Sequence, residues 1–349
     1  MSAADMYVAA TATRLPPAMT VEEAAAAGQC PRSLADAAGA VSVTVSAGES
    51  GPELAAGAAR TALARSGLAP AEIDLVLHAS IYYQGQEMWA PASYVQRAAL
   101  GNHCPAIDIG QVSNGGMAAL ELAVAYLRAD PARGAAMLTA GDRFAAPGFD
   151  RWRSDPGTVY ADGGAALVLA RRDGFALLRS LVTVSRPELE GMHRGKAPFG
   201  TVPFSHRGRV DLEASKDEFL DEAGKSYALS HIASGQREAL KRALAEAGLE
   251  LADIDWFVLP HLGRRRLRAT YFAPFAIDPE RTTWPWSRTV GHLGAGDQFA
   301  GLDHLVRTGA ARPGDRCLLA GVGAGFSWSC AVVEITRTPS WAGEPQGEM

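Results

Sequence analysis

The sequence predicts an α/β protein built from two similar halves. Short apolar runs typical of buried strands alternate with helical segments along the whole chain. Residues 62–74 and 243–255 match each other closely and at a constant offset, which is the signature of an internal repeat. Residues 114–141 and 293–321 then share one order of elements: a turn of small residues, a helix, a turn marked by proline or glycine, and a strand. The chain is therefore interpreted as a tandem duplication.

The duplication predicts how the layers are arranged. A repeated βα unit of this size most simply forms two mixed sheets and three helix layers, in the order α-β-α-β-α. We expect the N-terminal half to span residues 1–175 and to carry Ser113. The C-terminal half is expected to span residues 176–349 and to carry the candidate histidines. The equivalent turns at Ser113 and His292 should meet near the axis that relates the halves.

Each element of the first half has its own sequence signal. Gly67 ends a helix rich in alanine, leucine and arginine, and Pro91 begins another. Residues 44–51 are predicted as a loop. Residues 186–224 are rich in glycine, proline and charge, so they are predicted as a functional insertion without a buried element. The predicted strands are residues 7–15, 73–80, 106–110, 135–140 and 165–170, and the predicted helices are residues 21–27, 57–66, 92–100 and 118–127.

The composition limits the kind of protein. The 349 residues are 48% hydrophobic and 20% charged, which is typical of a globular chain and excludes a disordered one. A net charge of -5 argues against a general nucleic-acid binder. The four cysteines lie far apart without paired spacing, so neither a zinc site nor a disulfide framework is expected. The chain starts without a signal-peptide pattern and has no apolar run of ~20 residues, so we expect a soluble cytoplasmic protein.

Ser113 stands at the turn from a predicted strand into the helix that follows it. Backbone N–H groups at a helix N-terminus are unpaired and carry partial positive charge. A hydroxyl held there faces a site for developing negative charge, which is the position of a nucleophile. An ordinary helix-capping serine is the alternative interpretation, because serine is a preferred cap residue.

Four motifs stand in order along the chain, around Ser113, around His261, around His292 and at the glycine-rich residues 321–328. Together they resemble the thiolase superfamily, and specifically its ketoacyl synthase III group. The nucleophile motif is similar around Ser113, where the family usually has cysteine. A proline-histidine motif matches at His261, with Arg264 in the place of the usual asparagine. His292 stands in for the family's catalytic asparagine, and residues 321–328 are similar to the C-terminal glycine-rich loop. The resemblance covers nearly the whole chain and implies a thiolase-like fold.

The departures from that family pattern point to a different chemistry. A serine hydroxyl is barely ionised at neutral pH, so it needs a neighbouring general base. His292 is placed to be that base, and Asp297 follows it to hold the imidazole, which gives a serine, histidine and aspartate arrangement. This pattern resembles acyltransferases of antibiotic and polyketide pathways that are built on the same fold, the anthracycline starter-unit enzyme among them.

The resemblance also implies roles for residues around this set. His261 is expected to help bind the thioester carbonyl, and the Ala324 N–H is expected to act with the Ser113 N–H as an oxyanion site. His193 is expected to be a second base or a substrate contact, with a solvated histidine as the alternative. Trp89 and the aromatic loop around it line either an acyl pocket or a dimer interface.

A run of basic residues, Arg264, Arg265, Arg266 and Arg268, follows His261 in an otherwise acidic protein. Phosphopantetheine carriers bring anionic groups, so the resemblance makes Arg266 the best candidate for docking an acyl carrier protein or coenzyme A. A solvated helix face is the alternative. A homodimer is also implied, and no cofactor, metal, nucleic acid or membrane is expected.

We therefore expect an acyltransferase of secondary metabolism that accepts an acyl group from a coenzyme A or carrier-protein thioester on Ser113 and passes it to a second acceptor. The acceptor stays open between a carrier protein and a hydroxyl or amine of a sugar, aminocyclitol or polyketide. One alternative is a starter-unit ketosynthase that still performs decarboxylative condensation, because His261 remains. The other is an inactive partner subunit, against which the intact serine, histidine and aspartate set argues.

Overall fold

The computed structural model describes residues 5–345 of the chain. The strands are β1 (Tyr7–Arg14), β2 (Ala18–Thr20), β3 (Ser42–Thr44), β4 (Ile73–Ala79), β5 (Ala106–Ile109), β6 (Ala135–Asp142), β7 (Gly163–Ala170), β8 (Ala176–Ser185), β9 (Trp256–Val258), β10 (Arg316–Gly323) and β11 (Ser327–Ile335). The α-helices are α1 (Val21–Ala26), α2 (Arg32–Ala38), α3 (Gly51–Ser66), α4 (Pro91–Ala99), α5 (Gly115–Arg128), α6 (Gly191–Arg194), α7 (Leu212–Ala223), α8 (Lys225–Ala247), α9 (Arg264–Leu267), α10 (Ala273–Phe275), α11 (Trp284–Val290) and α12 (Asp297–Arg307).

The order of the strands repeats between the two halves. The first half has the order β5-β4-β6-β7-β1, and the second half has the order β9-β10-β11-β8. In both halves two neighbouring strands run parallel, β4 with β6 and β9 with β10, and the next two pairings are antiparallel. The second half has no counterpart of β5 among its described strands. The predicted class, an α/β fold of two duplicated halves, is confirmed.

The prediction of two separate sheets was wrong in one respect. β1 and β8 pair at Tyr7↔Leu177 and Val8↔Ala176, so that nine strands are hydrogen-bonded into one sheet. β1 and β8 are the equivalent edge strands of the two halves. Edge strands carry unpaired N–H and C=O groups, which favour pairing with another edge. The two halves are therefore joined by a short seam between their sheets.

The middle helix layer belongs to both halves. Helix α5 contacts β4 and β6 of the first half and β11 of the second, whereas α12 contacts β1, β7, β9 and β10. Helix α3 covers β1, β6 and β7, and α8 covers β8 and β11. This gives the expected sequence of layers, with α5 and α12 in the centre. Since each of these two helices begins at one of the equivalent turns, both turns lie in the middle layer.

Two predictions of local structure were wrong. Helix α3 begins earlier than predicted, because Ser50 and Glu53 form a capping box ahead of its apolar run. Helix α7 lies within the predicted irregular insertion, where the Asp211 side chain accepts a hydrogen bond of 3.0 Å from the Ala214 N–H. In both places a capping side chain fixes the start of a helix that hydrophobic periodicity marks only weakly.

Within residues 5–345, no helix combines the length and the apolar character needed to cross a membrane. The same part of the chain holds no group of three or more histidine, cysteine, aspartate and glutamate side chains that could bind a metal ion. All four cysteines are free thiols, and three of them are buried.

The two equivalent turns pack directly against each other. Gly116, in the first turn of α5, faces the carbonyl oxygen of Ala295 in the turn before α12. A Cβ atom at position 116 would lie 2.4 Å from that oxygen, which is closer than any real Cβ contact. Glycine at this position therefore permits the backbones of the two halves to meet.

We expect Gly116→Ala to lower the free energy of unfolding by about 1–3 kcal/mol, the usual cost of an extra methyl group in a packed interior. Gly134→Ala is the matched control, because a Cβ atom there would meet its nearest neighbour only at 3.9 Å. Urea unfolding of the native protein and both variants measures the difference. Equal stability of the two variants would contradict the packing argument.

Candidate active site

Ser113 lies on a turn of unusual backbone geometry between β5 and α5. The turn is a short 3₁₀ segment, Val112–Asn114. Val112 has a φ of +48°, a left-handed conformation that is rare for a β-branched residue and is often found at functional sites. The Asn114 side chain attaches the turn to β11 by donating to Ser327 Oγ at 3.1 Å and to Ser329 Oγ at 2.8 Å. The Ser113 hydroxyl is thus presented from a fixed turn.

His292 lies within hydrogen-bond distance of Ser113. Its backbone N–H donates to the Val159 carbonyl at 2.8 Å, and its carbonyl accepts from the Ala161 N–H at 2.8 Å. Its Nε2 is 2.9 Å from Ser113 Oγ, and its Nδ1 is 2.6 Å from Asp297 Oδ2. The structure therefore brings the three residues that the sequence singled out into one hydrogen-bonded chain.

Asp297 is buried at the start of α12, and both of its carboxylate oxygens are occupied. Oδ2 accepts from the His261 backbone N–H at 2.7 Å and faces His292 Nδ1, while Oδ1 accepts from the Leu293 N–H at 2.8 Å. Hydrogen bonds of this kind stabilise the ionised carboxylate. A carboxylate beside Nδ1 keeps the imidazole proton on that nitrogen, which leaves Nε2 of His292 free to accept the Ser113 proton.

The charges of His292 and Asp297 shift each other's pKa. Burial alone lowers the pKa of His292, but the Asp297 carboxylate attracts the charged imidazolium and raises that pKa above 6.5. Burial raises the pKa of Asp297, and the neighbouring His261 and His292 outweigh it, so that the pKa falls below 3.8. Asp297 is therefore ionised at neutral pH, and His292 is a stronger base than a free imidazole.

Ser113 opens into a cavity of about 240 Å³. His292 and Ala324 line the same cavity. Its polar wall consists of Asp155, His193, Lys216, Gln236 and Arg266, and its apolar wall includes Met192, Ile232, Leu262, Tyr271, Phe326 and Trp328. A mostly apolar cavity with a few fixed polar groups is the usual form of a site for a small organic substrate.

The two residues with a predicted oxyanion role, Ser113 and Ala324, both line the cavity. A Cβ atom on Gly323 would lie 2.7 Å from the Asn114 nitrogen, so glycine lets the end of β10 approach the Ser113 turn closely. Ala324 follows directly. Neither the Ser113 N–H nor the Ala324 N–H donates to a backbone carbonyl in the turns and loops of residues 5–345. Their joint action as an oxyanion site stays a prediction.

His261 lies outside this cavity. Its side chain is buried edge-on against Trp286, with ring centroids 5.3 Å apart, and its Nδ1 is 2.9 Å from the Gly291 carbonyl oxygen. It borders a separate cavity of about 20 Å³, roughly the room of one water molecule. His261 therefore does not line the cavity at Ser113, where the family resemblance implies a contact with the thioester carbonyl, although its neighbours Pro260 and Leu262 do.

Arg266 is held inside the cavity wall. Its guanidinium makes a bidentate ion pair with Asp155, with N···O distances of 2.5 and 2.6 Å. It also donates to Thr158 Oγ1 at 2.6 Å and to the Pro156 carbonyl at 2.9 Å. The expected docking role does not fit this geometry, because Asp155 neutralises the charge of Arg266 and its four terminal N–H donors are already in use.

The other arginines of the same run face solvent. Arg264, Arg265 and Arg268 are exposed, and none of them forms an ion pair with another described residue. They flank Arg266 along α9 and the helical turn after it, so they lie beside the cavity wall. These three side chains remain available for an anionic partner.

His193 reaches the cavity, and Trp89 does not. His193 lies on α6 and packs edge-on against Phe326, with ring centroids 5.5 Å apart. Burial lowers its pKa, so its imidazole is neutral at pH 7. Trp89 is 40% exposed and packs against Tyr94, away from the residues that line the cavity of the same chain. Trp89 therefore does not line the cavity of its own chain, and its predicted place in an acyl pocket or a dimer interface stays a prediction.

Sequence reasoning missed Asp155 and Tyr160. Asp155 holds Arg266 in place, and the Tyr160 hydroxyl is 3.4 Å from Asp155 Oδ2. The Tyr160 ring packs edge-on against His292, with centroids 5.0 Å apart. The available signal was the Asp-Pro-Gly sequence at residues 155–157, which is typical of a turn. Nothing local to the sequence indicates that this turn reaches into the cavity.

Comparison with known proteins identifies the class to which this fold and site belong. A family model for the C-terminal part of 3-oxoacyl-[acyl-carrier-protein (ACP)] synthase III matches residues 244–335. The β-ketoacyl-[acyl-carrier-protein] synthase III of Rhodospirillum centenum is 30% identical over 294 residues, covering 82% of this chain and 84% of its own. That of Hyphomonas neptunium is 29% identical over 300 residues, covering 82% and 85%. The chain therefore belongs to the β-ketoacyl-[acyl-carrier-protein] synthase III family.

Solved structures give a more specific likeness. The acyltransferase ChlB3 is 35% identical and matches with a TM-score of 0.92, over 97% of this chain and 99% of that one. The synthase III, FabH, of Pseudomonas aeruginosa PAO1 matches with a TM-score of 0.77 at 22% identity, over 96% and 99%, and shows the fold alone. The predicted thiolase-like fold is confirmed. The protein is an enzyme of the synthase III type, an acyltransferase or condensing enzyme.

Asp297→Asn tests how charge controls His292. His292 is a base only when it is neutral, so the native acylation rate should fall as the pH drops through a pKa above 6.5. Without the carboxylate this pKa falls, so the acid limb should move to lower pH. The rate at the optimum should fall by about 10³–10⁴-fold, because the imidazole then prefers the wrong tautomer. Single-turnover acylation measured across the neutral range checks both effects, and an unshifted limb would count against the pairing.

Proposed function

We propose that the protein is an acyltransferase that moves an acyl group from a coenzyme A or acyl-carrier-protein thioester to a second acceptor through an ester on Ser113. The observation that carries the proposal is the chain of hydrogen bonds from Ser113 Oγ through His292 to Asp297, at 2.9 and 2.6 Å, at the wall of a mostly apolar cavity. This arrangement supplies the base that a serine nucleophile requires.

In the first step, His292 Nε2 takes the hydroxyl proton while Ser113 Oγ attacks the thioester carbonyl carbon. The oxyanion of the tetrahedral intermediate accepts hydrogen bonds from the Ser113 and Ala324 N–H groups. The carbon–sulfur bond then breaks, and the leaving thiolate takes the proton from His292. The products are an acyl ester on Ser113, a free thiol and a neutral His292.

In the second step, His292 acts on the acceptor. It takes the proton of the acceptor hydroxyl, amine or thiol as that atom attacks the ester carbonyl. The bond between Ser113 Oγ and the acyl carbon breaks, and the oxygen recovers the proton from His292. The acceptor leaves acylated, and the site returns to its starting state. The acceptor classes are those left open above, a carrier protein or a small molecule of secondary metabolism.

Acyl transfer is favoured over decarboxylative condensation. Condensation in this family needs donors that stabilise an enolate, and the resemblance assigns them to His261 and to an asparagine at position 292. Here His261 lies outside the cavity, and His292 is engaged by Ser113 and Asp297. Loss of one such donor commonly costs ~100-fold or more in rate. A starter-unit ketosynthase is therefore the second candidate, and an inactive subunit has no use for the complete hydrogen-bonded chain.

The proposal includes partners. The thioester donor brings phosphate or an acidic carrier surface, which suits the exposed Arg264, Arg265 and Arg268. It also includes a homodimer, because Tyr83 and Met88 are exposed beside Trp89 in one apolar loop. By the same resemblance we place the enzyme in antibiotic or polyketide biosynthesis in the cytoplasm.

The acyl-serine intermediate is the direct test. We expect the native protein to gain the mass of one acyl group from an accepted thioester, and Ser113→Ala to gain none. His292→Ala should acylate far more slowly. Ser113→Cys should restore part of the acylation in the His292→Ala protein, because a thiol depends less on the base. Intact-mass spectrometry followed by peptide mapping gives the readout.

Cys104→Ala is the control for this experiment. Burial raises the pKa of the Cys104 thiol, and its sulfur lies beside Asn102 and Gln96, away from the cavity. The variant should acylate like the native protein. A stable acyl group mapped to any residue other than Ser113 would overturn the mechanism.

Charge reversal of Arg265 and Arg268 tests where the donor docks. The double variant to glutamate should raise KM for a carrier-linked donor by about tenfold at low salt with kcat nearly unchanged, and added salt should shrink the effect. Arg172→Glu is the matched control. Arg172 is exposed and follows the C-terminal end of β7, whereas the other end of that strand, at Gly163, lies next to Leu293. Equal KM values for the double variant and the control would show that these arginines do not contribute to docking of the donor.

A further inference from the structure

We propose that His261 is a positioning residue, which holds Gly291 and Asp297 so that His292 stays aligned with Ser113. This inference rests on the proposed function, because it concerns the base of that reaction. It differs from the direct contact with the thioester that the family resemblance implies for a histidine at this place.

The orientation of the His261 ring is the first argument. Its Nδ1 is 2.9 Å from the Gly291 carbonyl oxygen and 3.3 Å from Asp297 Oδ1. Both neighbours are acceptors, so Nδ1 must carry the proton. The backbone N–H of the same residue also donates to Asp297 Oδ2 at 2.7 Å. His261 thus binds the residue that precedes His292 in the chain, Gly291, and the carboxylate that holds the His292 imidazole, Asp297.

The other ring nitrogen gives the second argument. Nε2 of His261 is buried and has no hydrogen-bond partner among the described residues. With the proton on Nδ1, the neutral ring has no hydrogen on Nε2, so it cannot donate one to a carbonyl. Trp286 packs against the ring and is itself stacked on His304, with centroids 4.3 Å apart. This packing holds the ring in place, with Nδ1 as its only hydrogen-bond donor.

The third argument is what the contact controls. Gly291 immediately precedes His292, and its carbonyl orientation determines the direction in which the chain enters that residue. Asp297 sets the tautomer of His292. A displacement of about 1 Å in a reacting group can cost ~100-fold in rate, so a contact that fixes both neighbours of the base affects catalysis without touching the substrate.

Three substitutions of His261 distinguish positioning from direct contact. Asparagine places an amide N–H near the position of Nδ1, glutamine places one near the position of Nε2, and leucine provides neither. We expect His261→Asn to acylate within about threefold of the native rate and His261→Leu to lose ~100-fold, with KM unchanged because the cavity is untouched. His261→Gln should resemble the leucine variant. Single-turnover acylation over a range of donor concentrations gives both parameters.

The relative acylation rates of the asparagine and glutamine variants decide the proposal even if the leucine variant does not fold. A glutamine variant more active than the asparagine variant would assign the function to Nε2 and overturn positioning. Native rates in all three variants would overturn it as well. Thermal unfolding of each variant confirms that the compared proteins are folded.

Ser113→Ala, measured in parallel, separates this inference from the proposed function. If the Ser113→Ala protein still acquires an acyl group, the acyl-serine mechanism fails whatever the His261 variants do. If it acquires none but the glutamine variant exceeds the asparagine variant, only the positioning of His261 fails. The expected result is no adduct in Ser113→Ala, together with an asparagine variant near the native rate.

Discussion

The buried carboxylate of Asp297 is the constraint on which the site depends. An ionised group without solvent costs several kcal/mol unless hydrogen bonds and opposite charge compensate it. Here the compensation comes from the backbone N–H groups of His261 and Leu293 and from the His292 imidazole. These donors come from two separate places in the second half, the loop after β9 and the adjacent residues 292 and 293. The carboxylate therefore fixes the loop after β9, the turn before α12 and the base itself in one arrangement.

The serine and the histidine are complementary departures from the family pattern. A cysteine thiolate needs little help at neutral pH, whereas a serine hydroxyl has to lose its proton during the attack. Because position 292 lies opposite Ser113 across the junction of the halves, a histidine there can take that proton. The same exchange removes a neutral hydrogen-bond donor from the cavity. The exchange that supplies a base for the serine therefore also removes a donor that would stabilise an enolate.

Sequence reasoning recovered the plan of the molecule better than its details. The repeat predicted two similar halves and the order of their layers, because the repeated stretches contain the same elements in the same sequence. It did not predict the order of the strands within the sheet. It missed the pairing of β1 with β8, since edge contacts between halves depend on three-dimensional approach and leave no local pattern. It placed Ser113, His292 and Asp297 together, because motif order across a duplicated fold brings equivalent turns to one place. The catalytic roles of these residues stay predictions.

Side-chain direction was the part that the sequence could not supply. His261 and Arg266 stand at family positions, yet His261 faces Gly291 and Arg266 faces Asp155. In both cases the decisive partner is distant in sequence or contributes only a backbone atom. A basic run is visible in the sequence, but which of its members pairs with a buried carboxylate is determined by the turn at residues 155–157.

The shared middle layer has a consequence for how the protein is made. Strand β8 follows β7 closely along the chain, so the open edge of β1 gains its partner early, but the face that α12 covers stays bare until residues 297–307 are made. Open strand edges and uncovered apolar faces are what drive nascent chains to associate wrongly. Synthesis from the N-terminus therefore produces a first half that lacks the helix α12 for much of translation. An exposed apolar face on the nascent chain is a site where chaperones can bind during that interval.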